Sequence, residues 1–115
     1  MSWGPLILGH AHPTVVQAVQ EAASKGLSFG ACHRGETELA EQILKGFDWA
    51  DQVRFTSSGT EAVMAAVRCA RFNQRKPLVV TFGGAYHGWW DGMQPTAGNE
   101  RTPEDVLCLK DMNAL

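Results

Sequence analysis

The sequence contains 115 residues, of which 44% are hydrophobic and 19% are charged, and its net charge is -2. This composition excludes an intrinsically disordered chain and predicts one globular unit with a modest core. Basic residues form no run, and no apolar stretch approaches the roughly 20 residues that span a bilayer, so we expect no nucleic-acid partner, no membrane and a cytoplasmic location.

The three cysteines are widely spaced, at Cys32, Cys69 and Cys108. An odd number at such spacing favours reduced thiols over a disulfide framework or a zinc site. We expect Cys69 and Cys108 to pack in the core, because free cysteine behaves as a small apolar residue.

The first 13 residues are rich in glycine, proline and histidine and are expected to form a short strand or an extended arm. His10 and His12 alternate as strand-borne metal ligands do, but no carboxylate or cysteine cluster accompanies them, so we predict no metal site. Pro13 and Gly26 then bracket a helix with one apolar face. That face consists of Val15, Val16, Val19, Ala22 and Ala23.

A glycine-rich loop over residues 26–35 precedes a second predicted helix, Glu36 to Lys45, which Gly46 ends. The residues of this helix expected to face inward are Leu39, Ala40, Ile43 and Leu44.

The central stretch reads as a short strand, Val53 to Thr56, that turns directly into a helix. Ser58-Gly59-Thr60-Glu61 matches a capping box, in which the serine caps the helix and the glutamate returns to the serine N–H. The same turn directs backbone N–H groups, hydroxyls and the positive helix end at one point, which suits a phosphate. The two interpretations are compatible. The apolar face of this helix is Val63, Ala66, Val67 and Ala70.

Two further apolar runs predict buried strands, Leu78 to Phe82 and Val106 to Leu109. With Val53 to Thr56 they predict an α/β fold with mainly parallel strands and flanking helices, including a βαβ unit. The loop over residues 83–101 follows a strand end, where open α/β sheets carry their sites.

That loop contains Tyr86 and His87, which we expect beside the turn at Ser58 if the two strands are neighbours. A phosphorylated aromatic cofactor suits this pair, with its phosphate on the helix start and its ring against Tyr86. Packing of Tyr86 under the loop is the alternative, as is a structural hydrogen bond for His87. A Ser58–His87–Asp91 hydrolase lacks the G-x-S-x-G elbow and is not favoured.

Several motifs in correct order give the chain a resemblance to the class III aminotransferases, and within them to the glutamate-1-semialdehyde 2,1-aminomutases. In chain order the motifs are Ser2-Trp3-Gly4-Pro5-Leu6-Ile7-Leu8-Gly9-His10-Ala11-His12-Pro13, Ser28-Phe29-Gly30, Glu38-Leu39-Ala40-Glu41, Val53-Arg54-Phe55, Ser58-Gly59-Thr60-Glu61-Ala62 and Gly84-Ala85-Tyr86-His87-Gly88.

The resemblance implies part of the large domain of a fold-type I transferase that depends on pyridoxal 5'-phosphate, forms a homodimer or higher oligomer and acts on small amino donors and acceptors. It implies an N-terminal arm, helix and loop over residues 1–34 and a partial cofactor-binding domain over residues 35–115. By position, Ser58, Gly59 and Thr60 match the phosphate turn, Tyr86 the ring-stacking aromatic, and His87 completes that motif.

The family's cofactor-linking lysine and its pyridine-pairing aspartate lie downstream of these motifs. We therefore expect the chain to be an N-terminal portion that contains no catalytic residue of its own and is inactive alone. Gly83, where the family has an acidic residue, and a short loop after Trp90 favour a broader aminotransferase relative over an aminomutase. The alternative function is a non-catalytic α/β module that binds a phosphorylated ligand or a partner chain.

Overall fold

The computed structural model describes residues 3–93 and 104–109, which contain three helices and two strands. In chain order they are α1 (Pro13–Ala23), α2 (Arg34–Leu44), α3 (Gly59–Gln74), β1 (Val79–Phe82) and β2 (Val106–Leu109). The chain divides into two compact units, Met1–Val53 and Arg54–Leu115. The division at residue 34 concerns the domain organisation of the family and remains a prediction.

The segment before α1 forms successive turns and not the short strand that was one of two expectations. The N–H of Ile7 donates to the carbonyl of Pro5, and the N–H of Gly9 donates to that of Leu6. Gly4 and Gly9 adopt φ values of 106° and 86°, which interrupt an extended run.

Helix α1 begins at Pro13 as predicted, and Gly26 follows its end with a φ of 137°. None of its residues is buried, and Val19 is 60% exposed, so its predicted apolar face is not enclosed in this unit.

Helix α2 begins at Arg34, two residues before its predicted start, because His33 caps it. The N–H of Gly35 donates to Nδ1 of His33, and the N–H of His33 donates to the carboxylate of Glu36. The expectation that Leu39 faces inward is wrong, since it is 52% exposed, while Ala40, Ile43 and Leu44 are half-buried.

The second unit contains a parallel pair of strands, which confirms the predicted parallel arrangement. Strand β1 pairs with β2 in the register Val79 to Val106 through Phe82 to Leu109. Of the four buried side chains among the described residues, three lie in these strands and the fourth is Met93. The three in the strands are Thr81, Val106 and Leu109.

The predicted strand from Val53 to Thr56 is wrong, since residues 51–56 have no regular structure. A strand exists through hydrogen bonds to a neighbour, and in the described part of the chain β1 and β2 pair only with each other. The βαβ unit is therefore not formed among these residues. Cys69 is exposed, contrary to expectation, and Cys108 is half-buried.

Arg71, in the last turn of α3, connects this helix to both strand starts. Its Nε donates to the carbonyl of Pro77 at 2.7 Å, and its Nη2 lies 2.6 Å from Oδ2 of Asp105. These bonds fix the C-terminal end of α3 on the sheet. No helix among the described residues combines the length and apolarity needed to cross a bilayer.

Candidate functional site

Ser58 caps α3, as the sequence predicts. Its backbone is extended, with φ -152° and ψ 160°, and its Oγ accepts a hydrogen bond from the N–H of Glu61 at 3.2 Å. The return interaction differs from the predicted capping box, because the carboxylate of Glu61 accepts from the Ser58 hydroxyl at 3.1 Å. Thr56 adds a bond from its hydroxyl to the carbonyl of Ser58. The start of α3 is therefore held from both sides.

Two backbone donors at this helix start are unoccupied. Within the described residues, the N–H groups of Gly59 and Thr60 donate to no acceptor. Gly59 is exposed, and no atom lies within 4 Å of the position that a Cβ on it would take. With the positive end of the helix dipole, these donors form a suitable environment for an anion.

Glu61 is the opposing electrostatic feature of the turn. Its carboxylate stabilises the positive helix end when no anion is present, and it accepts the hydrogen bond that the Ser58 hydroxyl donates. Ser58 can donate to a bound phosphate only if its hydroxyl rotates away from Glu61. The two free N–H groups need no such rearrangement.

The segment after β1 begins with a turn that His87 closes. The N–H of Ala85 donates to the carbonyl of Phe82, and Gly84 adopts a φ of 81°. Nε2 of His87 accepts a hydrogen bond from the N–H of Phe82 at 3.3 Å. His87 therefore makes a structural hydrogen bond, which was the alternative that the sequence analysis left open for this residue.

The segment that follows Tyr86 and His87 contacts the start of α3 at Thr60. The N–H of Trp89 donates to Oγ1 of Thr60 at 3.1 Å. Gly88 is buried against the same residue, with a φ of 97°, and a Cβ there would lie 3.0 Å from the Cα of Thr60. Only glycine suits both the conformation and the close approach.

Tyr86 lies two residues before this contact and is 72% exposed. Among the described residues its ring has no aromatic partner and its hydroxyl no hydrogen bond. The alternative in which Tyr86 packs under the loop is therefore not what the structure has, and the ring is accessible to a ligand.

The hydrolase alternative has no geometric support. The hydroxyl of Ser58 donates to Glu61, and Nε2 of His87 accepts from Phe82, so the two do not form a nucleophile–base pair. In the part of the chain that the structure describes, no three His, Cys, Asp or Glu side chains are grouped to hold a metal ion.

The first unit contains a separate open cavity of about 740 Å³ that the sequence did not suggest. Its charged lining residues carry both signs, so it indicates no ligand class. They are Glu21, Lys25, Arg34 and Glu38.

Comparison with known proteins identifies the family to which most of the chain is similar. The family model for Aminotransferase class-III matches residues 1–105. The glutamate-1-semialdehyde 2,1-aminomutase of Roseiflexus castenholzii is 52% identical over 99 residues, which are 86% of this chain and 23% of that protein. The protein of the same name from Cutibacterium acnes is 54% identical over 98 residues, or 85% of this chain and 22% of its own length.

Solved structures agree with these relatives. A transaminase with PLP bound superimposes with a TM-score of 0.75 at 38% identity, over 88% of this chain and 27% of that one. An omega-transaminase from Sphaerobacter thermophilus gives a TM-score of 0.78 at 33% identity, over 90% of this chain and 28% of that one. The chain thus spans about a quarter of the length of the proteins that it matches.

Proposed function

This chain belongs to the class-III aminotransferases, and we propose that it forms the phosphate and ring contacts for pyridoxal 5'-phosphate in an amino-group-transferring enzyme. The contact between Thr60 and Trp89 supports the proposal most directly. It joins the helix start, which has two free N–H donors, to the segment that carries an accessible Tyr86. Phosphate and ring sites for one small molecule must be adjacent in this way.

Each proposed residue has a role that its own chemistry allows. The N–H groups of Gly59 and Thr60 bind the phosphate, and the hydroxyls of Ser58 and Thr60 add donors. Tyr86 packs against the pyridine ring. His87 holds the segment at the end of β1, through Phe82, and so fixes the loop on which Tyr86 lies.

When bound, the cofactor supplies an electron sink for chemistry at the amino-bearing carbon. The contribution of the described residues is to bind and orient it. The substrates that we propose are small amino donors and acceptors, and the identity to the two aminomutases favours amino transfer within a semialdehyde substrate. A homodimer in the cytoplasm is part of the same proposal. None of the relatives and structures named above favours the non-catalytic alternative.

A matched pair of variants at Gly59 tests the proposal. Gly59→Pro removes one free N–H, and proline is well tolerated at the first helical position after an extended residue such as Ser58. Gly59→Ala keeps the N–H and adds a methyl group to open space. The probe is pyridoxine 5'-phosphate, which has no aldehyde to react with lysines, and its binding is followed by quenching of the four tryptophans.

We expect Gly59→Pro to weaken binding by about tenfold or more, the loss of one hydrogen bond to a charged group, and Gly59→Ala to leave it within about twofold. Helix content by circular dichroism serves as the folding control for both variants. Absence of binding to the wild-type protein, or equal affinity of the two variants, would overturn the proposal.

A further inference from the structure

The hydroxyl of Thr60 can bond to phosphate and to a second group at the same time. A threonine hydroxyl donates one hydrogen bond and accepts two. One acceptor position receives the N–H of Trp89 at 3.1 Å. The proton of the hydroxyl has no acceptor among the described residues, so it is available to a ligand at the start of α3.

We propose that Thr60 is a positioning residue that couples phosphate binding at the start of α3 to the placement of the ring-contacting segment that carries Tyr86. This inference rests on the proposed function. A chain of hydrogen bonds from the Trp89 N–H through the Thr60 hydroxyl to a phosphate oxygen strengthens each of its members, because each bond polarises the next.

The surroundings of Thr60 make this coupling specific to its position. Gly88 lies against the Cα of Thr60, where a Cβ would be only 3.0 Å away. The segment is therefore in contact with the helix start at Thr60, and the Trp89 N–H donates a hydrogen bond there. The hydroxyl of Ser58, by contrast, bonds to Glu61, and among the described residues it makes no bond to this segment.

Two ligands with the same ring separate this role from simple phosphate binding. Pyridoxine 5'-phosphate has the phosphate, and pyridoxine lacks it. If Thr60 acted only as a phosphate ligand, Thr60→Val would weaken the first and leave the second unchanged. If Thr60 positions the segment of Tyr86, the same variant weakens both, because the ring contact itself is disturbed.

The experiment measures the affinity of both ligands for the wild-type protein, Thr60→Val and Thr60→Ser by tryptophan quenching. Amide hydrogen exchange of Trp89 is measured without ligand. We expect Thr60→Val to weaken pyridoxine by about fivefold, because the ring contact is disturbed, and pyridoxine 5'-phosphate by about tenfold or more, because it also loses the hydrogen bond from the Thr60 hydroxyl. We expect the Trp89 amide to exchange faster in this variant, and Thr60→Ser, which keeps the hydroxyl, to restore all three readouts.

Thr37→Val is the matched control, since Thr37 is an exposed threonine in α2, and it should change none of these quantities. If Thr60→Val does not fold, Thr60→Ala removes the same hydroxyl without a branched side chain. Loss of affinity for the phosphorylated ligand alone, or an unchanged Trp89 amide, would overturn the inference while leaving the proposed function standing. A wild-type protein that does not bind pyridoxine 5'-phosphate would overturn both.

Discussion

Arg71 and Asp105 form an ion pair, 2.6 Å from Nη2 to Oδ2, that joins the end of α3 to the start of β2. Their side chains are 26% and 39% exposed, so solvent weakens the charge interaction. Arg71 also donates to the carbonyls of Pro77 and Asp105, at 2.7 and 3.4 Å. The planar guanidinium is suited to such a set of contacts, and lysine is not.

Substitutions at Arg71 and at Asp105 should separate the contribution of the ion pair from that of the hydrogen bonds to the carbonyls. We expect Arg71→Ala to lower the free energy of unfolding by about 1–2 kcal/mol, because it removes the ion pair and the carbonyl bonds. Asp105→Asn removes only the charge and should cost less than about 1 kcal/mol. Urea unfolding measured by circular dichroism checks both values. Equal losses in the two variants would show that the carbonyl bonds contribute nothing.

Gly88 is the position where a single methyl group should do most harm to the site. Gly88→Ala places a Cβ 3.0 Å from the Cα of Thr60 and forces alanine to a φ of 97°, so we expect about 1–3 kcal/mol of destabilisation. Gly30→Ala is the control, because Gly30 has no positive φ and no atom within 4 Å of its Cβ position. Comparable losses of stability in both variants would contradict the close approach of Gly88 to Thr60.

Ser58 is expected to contribute to stability and to anion binding by separable means. Ser58→Ala should lower the free energy of unfolding by about 1 kcal/mol, because the N–H of Glu61 loses its cap. Ser58→Asp keeps a capping oxygen but adds a negative charge next to the proposed phosphate position. It should therefore retain most of the stability and bind pyridoxine 5'-phosphate at least about tenfold more weakly. Thermal unfolding and tryptophan quenching measure the two effects. Unchanged affinity in Ser58→Asp would show that the anion does not bind at this helix start.

Local signals explain which elements could be predicted from the sequence. Pro13 marks a helix start through its fixed backbone angle, and Ser58 marks one through its capping side chain. The run that became β1 is rich in β-branched residues, and the run that became β2 is apolar throughout. The resemblance to the class-III aminotransferases, carried by several ordered motifs, is confirmed by the family match over residues 1–105. The residues proposed to bind cofactor remain predictions, although the structure places Thr60 in contact with Gly88, the last residue of the motif that contains Tyr86, and with Trp89 after it.

Features that depend on a distant partner could not be predicted in this way. The strand expected from Val53 to Thr56 has a suitable composition, but no neighbour in the described residues provides its hydrogen bonds. The contact of Arg71 with Asp105 joins residues that are far apart in sequence, whereas from the sequence alone an arginine in the last turn of a helix indicates only a favourable charge. The sequence predicts that Tyr86 and His87 lie in the loop after a strand, but it does not indicate that Gly88 contacts Thr60.

His33 is an N-cap that sequence reasoning missed, because histidine is not among the residues that usually cap helices. Its Nδ1 accepts from the N–H of Gly35 at 3.1 Å, and its ring stacks on Phe29 with the centroids 4.2 Å apart. Two substitutions separate these contributions. His33→Ala removes both and should lower the stability of α2 by about 1 kcal/mol, whereas His33→Asn loses only the stack and should recover most of that loss.

Helix content during urea unfolding measures the difference between these variants, and His10→Ala, at an exposed histidine in the same unit, is the control. If His33→Asn is as unstable as His33→Ala, the stack on Phe29 and not the cap holds the start of α2. His33 also lines the cavity of the first unit, next to Arg34 and Gly35. We therefore expect the His33 cap to keep Arg34 and Gly35 in position along the cavity wall. A cavity wall fixed by a backbone cap would tolerate loss of the Phe29 ring, so Phe29→Leu should leave the helix content unchanged.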